Sequence, residues 1–335
     1  MGGDQRTDGG SAPPPVTRFE DGVIAIDTLT GGLTSVTAGY LLPAARPTLI
    51  ECGPALTVEA VLQALDALGL GPQDLAYLVV THIHLDHAGG AGDVAAAFPD
   101  ATVIVSDLGA RHLHDPEKLN ASSRRVYGPL FDTVYGPCTP IEAGRVHGVT
   151  DGNTLDLGGG RRLELLHTPG HAKHHIGVFD PTIGAVFTGD SIGVKLPGMH
   201  RIRPATPPAD FHLEASLDSI SRYRERSPER LYLAHYGPID EPDDALAEAA
   251  DQLRAWTDVA EEAYRQALSA GGGADHELQH VAETLQQRFA TELDPGLEDE
   301  ESIQRVELLN DTRSNAAGLL RYLQRRDAGT LTPLG

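Results

Sequence analysis

Short apolar runs fill the first two-thirds of the chain, and they are separated by glycine, proline and aspartate. Runs of this length and bounding predict strands over 22–28, 35–42, 47–53, 75–81, 102–107, 161–168, 175–180, 184–190 and 230–237. The run LAYLVVT over 75–81 is almost continuously apolar, as expected of a strand covered on both faces. TVEAVLQALDALGL over 57–70 instead places its apolar residues at helical spacing and stops at Gly69 and Gly71. Further helices are expected over 92–98, 107–125 and 209–226. Beyond residue 242 the strand signal disappears. A strong helix over 243–268, a GGGA break, and helical stretches over 275–292 and 299–326 remain. The chain therefore divides into a disordered Gly/Pro/Asp tail (1–16), an α/β domain (17–241) and a C-terminal helical module (242–335). That module either stands alone or packs on the domain before it.

Charge narrows the class of partner. The 335 residues carry a formal charge of −22, and no basic run interrupts it. A phosphate backbone is repelled by such a balance, which argues against nucleic acid as the partner. Lys118, Lys173 and Lys195 are the only lysines; all other basic side chains apart from histidine are arginine. Either a high-salt habitat or a GC-rich genome gives this composition. Cys52 and Cys138 form neither a disulfide framework nor a zinc motif. No apolar stretch has membrane-spanning length, and MGGDQRTDGGSAPPP is not a secretory signal. A cytoplasmic protein acting on a small molecule is expected, with the helical C-terminus available as a homodimer interface or a lid.

One segment is chemically dense. THIHLDHAGG (81–90) holds His82, His84, Asp86 and His87 within six positions, directly after the buried strand. His82 and His84 project to the same side if the backbone there is extended. Asp86 and His87 fall where the chain turns toward Gly89 and Gly90, at a strand's C-terminal end, where open α/β sheets place ligands. Imidazole with carboxylate suits zinc, iron or manganese. Three later stretches also put a histidine or aspartate at a strand end: HTPGHAKHH (167–175), FTGDS (187–191) and LAHYGP (233–238).

HIHLDH, TPGH, TGD and a late strand-end histidine, in that order, resemble the metallo-β-lactamase superfamily over roughly residues 20–240. Within it the general look is closest to glyoxalase II-like hydrolases. The resemblance implies a four-layer αββα sandwich with the all-helical extension behind it. It implies that His82, His84 and His171 hold one metal, that Asp86, His87 and His235 hold a second, and that Asp190 bridges them. The expected ions are two Zn2+, with iron or manganese as alternatives. A metal-bridging hydroxide then cleaves an ester, thioester or lactone, with Asp86, Asp190 and Tyr236 as the candidate catalytic side chains. Tyr236 either donates to the developing oxyanion or serves packing.

Other residues are open between two roles. Glu51 and Asp27 lie at strand ends, where Glu51 either fixes a ligand imidazole or is solvated. His174 or His175 either supports the site or sits at a strand edge. Arg201 and Arg203, in the Pro-rich stretch 193–211, either meet a substrate carboxylate or form a solvated pair. Rival readings are an iron-dependent persulfide dioxygenase with a smaller ligand set, a nucleic-acid-processing enzyme, and a non-catalytic scaffold.

Overall fold

The computed structural model describes residues 14–289, 300–332 and 334. Residues 1–13 of the expected tail, and the expected helical ends at 290–292 and 299, lie outside them.

Two sheets face each other. The first has seven strands in sequence order: β1 (Val16–Arg18), β2 (Ile24–Asp27), β3 (Ala38–Leu42), β4 (Thr48–Ile50), β5 (Tyr77–Val79), β6 (Thr102–Ser106) and β7 (Val146–Val149). Pairing is antiparallel from β1 to β4 and parallel from β4 to β7. The second has six strands: β8 (Asn153–Asp156), β9 (Arg162–His167), β10 (Ile176–Asp180), β11 (Ala185–Gly189), β12 (Arg230–Leu233) and β13 (Gly237–Ile239). They follow the order β13-β12-β11-β10-β9-β8, and only β11 and β12 run parallel.

The period of two sorts side chains between layers. Tyr40, Ile50, Val79 and Ile104 point inward and meet Leu163, Leu165, Val178, Phe187 and Tyr232 of the facing sheet. Their neighbours Leu41, Leu49, Leu78, Val103 and Val105 point outward. There they pack under α1 (Val58–Ala67) and α3 (Ala91–Ala97) through Val61, Leu65, Val94 and Ala95. On the far side Leu166, Val186, Leu231 and Leu233 pack under α6 (Leu213–Glu225), α7 (Pro242–Ala270) and α10 (Thr312–Asp327). The result is the expected αββα sandwich. Tyr40, Phe187 and Tyr232 meet across its centre with ring centroids 4.9–5.5 Å apart, Phe187 stacked on Tyr232 and Tyr40 turned to both. Truncating Phe187 to Ala costs about 3–5 kcal/mol at such a site.

The C-terminal helices share a core with the second sheet. Along α7, Ala245, Leu246, Ala249, Leu253, Trp256, Ala260, Ala263 and Ala267 are buried at three- and four-residue spacing. Trp256 and Leu323 belong to the same apolar cluster as Leu231 and Leu233.

Several expected elements are subdivided. The stretch 107–125 is two helices, α4 (Asp107–His114) and α5 (Glu117–Tyr127), broken at Pro116. The stretch 299–326 is α9 (Glu300–Asn310) and α10, broken where the Asp311 carboxylate accepts the Ser314 N–H at 2.8 Å. The run 230–237 ends as a strand at Leu233, and β13 begins only at Gly237. Strands β7, β8 and β13 lie outside the expected set, and β1 starts at Val16, inside the stretch expected as tail.

Candidate metal centre

The dense segment is not a continued strand. After β5 the chain bends through Thr81 and His82, and His84 is the extended residue before a one-turn helix, α2 (Leu85–Ala88), that carries Asp86 and His87. A bend followed by a helical turn lets four closely spaced side chains point to two neighbouring places.

His82 Nε2 lies 2.8 Å from His84 Nδ1, which lies 3.0 Å from His171 Nε2. His87 Nε2 lies 3.1 Å from His235 Nε2. The Asp86 carboxylate is 3.5 Å from the first of these two rings and 3.4 Å from the second. Asp190 stands between the sets. Its Oδ2 is 3.4 Å from His171 Nε2, while its Oδ1 is 3.3 Å from His87 Nε2 and 3.2 Å from His235 Nε2. His82, His84 and His171 each offer a donor atom within 4.8 Å of the others, and so do Asp86, His87 and His235. The structure therefore brings together all seven residues expected as ligands.

A hydrogen-bonded frame aims these rings. His171 Nδ1 donates to the Ala205 carbonyl at 2.9 Å, and His235 Nδ1 donates to that of Val36 at 2.8 Å, so each Nε2 faces the cluster. The Thr81 hydroxyl donates to Glu51, so the 3.0 Å contact with His82 Nδ1 is a donation from the ring to Thr81. Glu51 Oε1 is also 3.3 Å from His87 Nδ1. Glu51 is buried and held at φ +63°, a left-handed conformation stored beside the site. His175 Nε2 accepts the Asp190 N–H at 3.2 Å, while its Nδ1 donates to Thr168 at 2.9 Å. Gly189, at φ +51°, makes this possible. A Cβ there would lie 2.5 Å from both His175 Nε2 and Thr81 Oγ1.

Charge separates the two sets. Burial pushes His82 well below the usual imidazole range, and burial together with His171 pushes His84 down to about 3. Burial also lowers His171. Burial opposes charge on His87 and His235 too, but Asp190 and Asp86 outweigh it, raising His87 and bringing His235 to about 9. Burial alone would raise both carboxyls; the facing histidines overcome it and hold Asp86 and Asp190 well below the carboxylate range.

These residues fit metal. His84 Nδ1 can donate to only one of the two imidazole nitrogens it faces at 2.8 and 3.0 Å, so at least one nitrogen–nitrogen contact is left uncompensated unless a cation lies among them. Asp190 Oδ1, between the two sets, is buried with no hydrogen-bond partner. A set of three imidazoles and a set of two imidazoles with Asp86, sharing Asp190, offer nitrogen and carboxylate donors of the kind divalent ions take.

The cluster opens into a small cavity of about 70 Å3. It is lined by His84, Asp86, His171 and Asp190 of the cluster, by Tyr127 and Tyr135, and by Asn310, Asp311, Ser314 and Asn315 of the α9–α10 junction. Tyr135 and the α9–α10 wall escaped sequence reasoning, although the polar run NDTRSN was a legible sign.

Four residues singled out from the sequence fall elsewhere. The Tyr236 hydroxyl is turned to Asp27, at 3.3 Å, and does not line this cavity. Asp27 is occupied by the Leu29 and Ser35 N–H groups at 3.0 and 2.7 Å, so it shapes the 29–35 loop and supports no ligand ring. The Arg203 guanidinium is buried, donates to Asn310 at 3.2 Å and Thr312 at 2.7 Å, and lies 5.0 Å over the Trp256 ring. Arg201 lines a separate cavity of about 710 Å3 with Glu248, Asp251 and Arg288. Neither arginine faces the cluster.

Residues 31–235 match the family model of the metallo-beta-lactamase superfamily. The metallo-beta-lactamase fold-containing protein ST1585 of Sulfurisphaera tokodaii is 32% identical over 214 residues, which are 62% of this chain and 79% of that protein. A solved structure of ST1585 superposes with a TM-score of 0.60 at 28% identity, covering 70% of this chain and 86% of that one. A hydroxyacylglutathione hydrolase of Aeromonas hydrophila is 29% identical over 177 residues, 53% of each chain, so the similarity spans about half of that enzyme. A metallo-beta-lactamase family structure from Thermus thermophilus shares the fold over 95% of this chain and 93% of its own, with a TM-score of 0.59 at 20% identity. With its family motifs gathered at one end of an αββα sandwich, the chain belongs to the metallo-beta-lactamase superfamily.

Proposed function

We propose that the protein is a dinuclear metal-dependent hydrolase of an ester, thioester or lactone. The observation that carries this reading is the placement of Asp190, with one carboxylate oxygen toward His171 and the other toward His87 and His235. His82, His84 and His171 would hold one ion, Asp86, His87 and His235 the other, and Asp190 both. Two divalent ions so held lower the pKa of a shared water and polarise the scissile carbonyl. The chain supplies the rest. Ala205, Val36, Thr81 and Glu51 fix the ring orientations, and His175 fixes Asp190 through its backbone. Tyr127, Tyr135 and the α9–α10 junction confine the substrate carbonyl above the cluster. The similarity to a hydroxyacylglutathione hydrolase supports the bond type without fixing the thiol. The full second donor set favours this reading over a single-iron dioxygenase.

The test is a panel of thioesters, lactones and aryl esters presented to zinc-, iron- and manganese-loaded protein. Turnover of at least one class, lost in both His82→Ala and Asp190→Ala, is the expected result. No hydrolysis of any class by fully loaded protein overturns the reading.

A further inference from the structure

Beside the metal centre lies a second cavity, of about 530 Å3, whose walls are basic. Lys118, Arg125, Lys173, His112 and His174 line it, together with Ile83, the residue between two of the candidate ligands. Among the described residues, no aspartate or glutamate lines it. The chain has three lysines and a formal charge of −22, yet two of those lysines meet here.

We propose that this groove is an anion-binding site that takes a carboxylate or phosphate group carried by the substrate. The sequence builds it from two elements. Lys118, Ser122 and Arg125 stand at i, i+4 and i+7 on one face of α5. Lys173 and His174 come from the turn between β9 and β10, the turn that also delivers His171. His174 is 7% exposed, and its Nδ1 is buried without a hydrogen-bond partner, so a polar group is built into the wall and left unmatched. Its ring lies 6.0 Å from that of His84 and 6.2 Å from that of His82, which puts the groove against the first metal set. The cations are barely neutralised from within: Lys173 reaches Asp210 only at 3.6 Å, and the Arg111 Nε–H donates to His112 at 3.2 Å.

Electrostatics explain why such a groove is needed. A strongly acidic protein repels an anionic substrate at long range, so a local positive concavity must draw it in. The cavity above the metal cluster is too small, at about 70 Å3, to hold more than the reacting group. The rest of a substrate needs a second place, and this groove borders the same histidines.

The inference rests on the hydrolase reading for the identity of the ligand as substrate, but not for the binding itself. Two arms keep them apart. Metal-loaded wild type and a Lys118→Met/Arg125→Met variant are assayed on 4-nitrophenyl hexanoate and on mono(4-nitrophenyl) adipate. The same proteins are titrated calorimetrically with adipate and with inorganic phosphate. Wild type is expected to prefer the adipate ester, and the variant to lower the adipate-to-hexanoate ratio of kcat/KM at least tenfold. The variant is also expected to weaken the tighter-binding anion at least fivefold, and which anion that is tells carboxylate from phosphate. An unmoved ester ratio, or anion affinities equal in the two proteins, overturns the proposal. If wild type cleaves neither ester, the hydrolase reading fails for these substrates, and the calorimetric arm alone decides the groove.

Discussion

Asn315 accepts the Thr206 backbone N–H on its side-chain oxygen at 2.7 Å, across 109 residues of sequence. That bond ties α10 to the segment whose next carbonyl inward, Ala205, orients His171. The same helix approaches so closely that a Cβ on Gly318 would lie 1.9 Å from the Thr206 oxygen and 2.7 Å from the Pro207 carbonyl carbon. The C-terminal helices are thus part of the frame around the first histidine set.

Gly318→Ala is accordingly expected to force α10 away from this segment. Overpacking of this kind costs about 1–3 kcal/mol, read by urea denaturation. The loosened Ala205 contact is expected to weaken metal retention in a chelator competition. A variant with wild-type stability and wild-type metal retention would show that the helix does not bear on the site.

His175 lies outside the donor sets but holds Asp190 by its backbone. Removing such an outer partner typically lowers metal affinity or activity by about 10–100-fold. His175→Leu is expected to fall in that range while its far-ultraviolet circular dichroism stays native. An unchanged affinity would make His175 a packing residue only.

Arg203 illustrates what the sequence could not show. In a Pro-rich stretch it reads as a free cation, because Asn310, Thr312 and Trp256, its actual partners, lie 53–109 residues away. Burying an arginine in that setting makes it structural: Arg203→Met leaves Asn310 and Thr312 short of a donor and is expected to destabilise by about 1–3 kcal/mol per lost charged hydrogen bond. Denaturation of the variant checks this. A change confined to KM would restore the substrate role.

The candidate ligands were legible for the opposite reason. His82, His84, Asp86 and His87 are neighbours in the chain, and His171, Asp190 and His235 each follow an apolar run that must end at the same sheet edge. Layer assignment was legible too, since β4, β5 and β6 are buried on both faces and read as continuous apolar runs. Strands β7 and β8 were not, because VHGV and NTLD are mostly exposed and carry no apolar alternation. The α9–α10 break was passed over because helical periodicity resumes after Asp311, although the polar run NDTRSN and its capping aspartate mark it. Tyr236 stayed open between two roles because adjacency to His235 says nothing of direction; its hydroxyl turns to Asp27.

The join between α7 and α10 carries a pH signature. Arg326 donates to Glu261 at 2.8 Å, and this bond with that from Arg265 holds Glu261 down at about 2. A carboxyl lowered on folding contributes stability above its unfolded pKa, here near 4.5, and loses it as pH falls toward 2. Wild type is therefore expected to melt above Glu261→Gln at pH 6, with the gap closing between pH 4.5 and pH 2. A gap that is constant with pH would contradict the pairing. Glu261 and Arg326 are only half-buried and Arg265 is exposed, so the gap is expected to be small and to shrink with salt.

The central claim is that Asp190 joins two metal sites. It is tested most directly by counting transition-metal ions per chain, by elemental analysis after gentle purification and reloading, in wild type and in Asp190→Ala. Two ions in wild type, falling to one or none in Asp190→Ala, is the expected result. Wild type that holds one ion or none under saturating metal, or Asp190→Ala that still holds two with unchanged affinity, would contradict it.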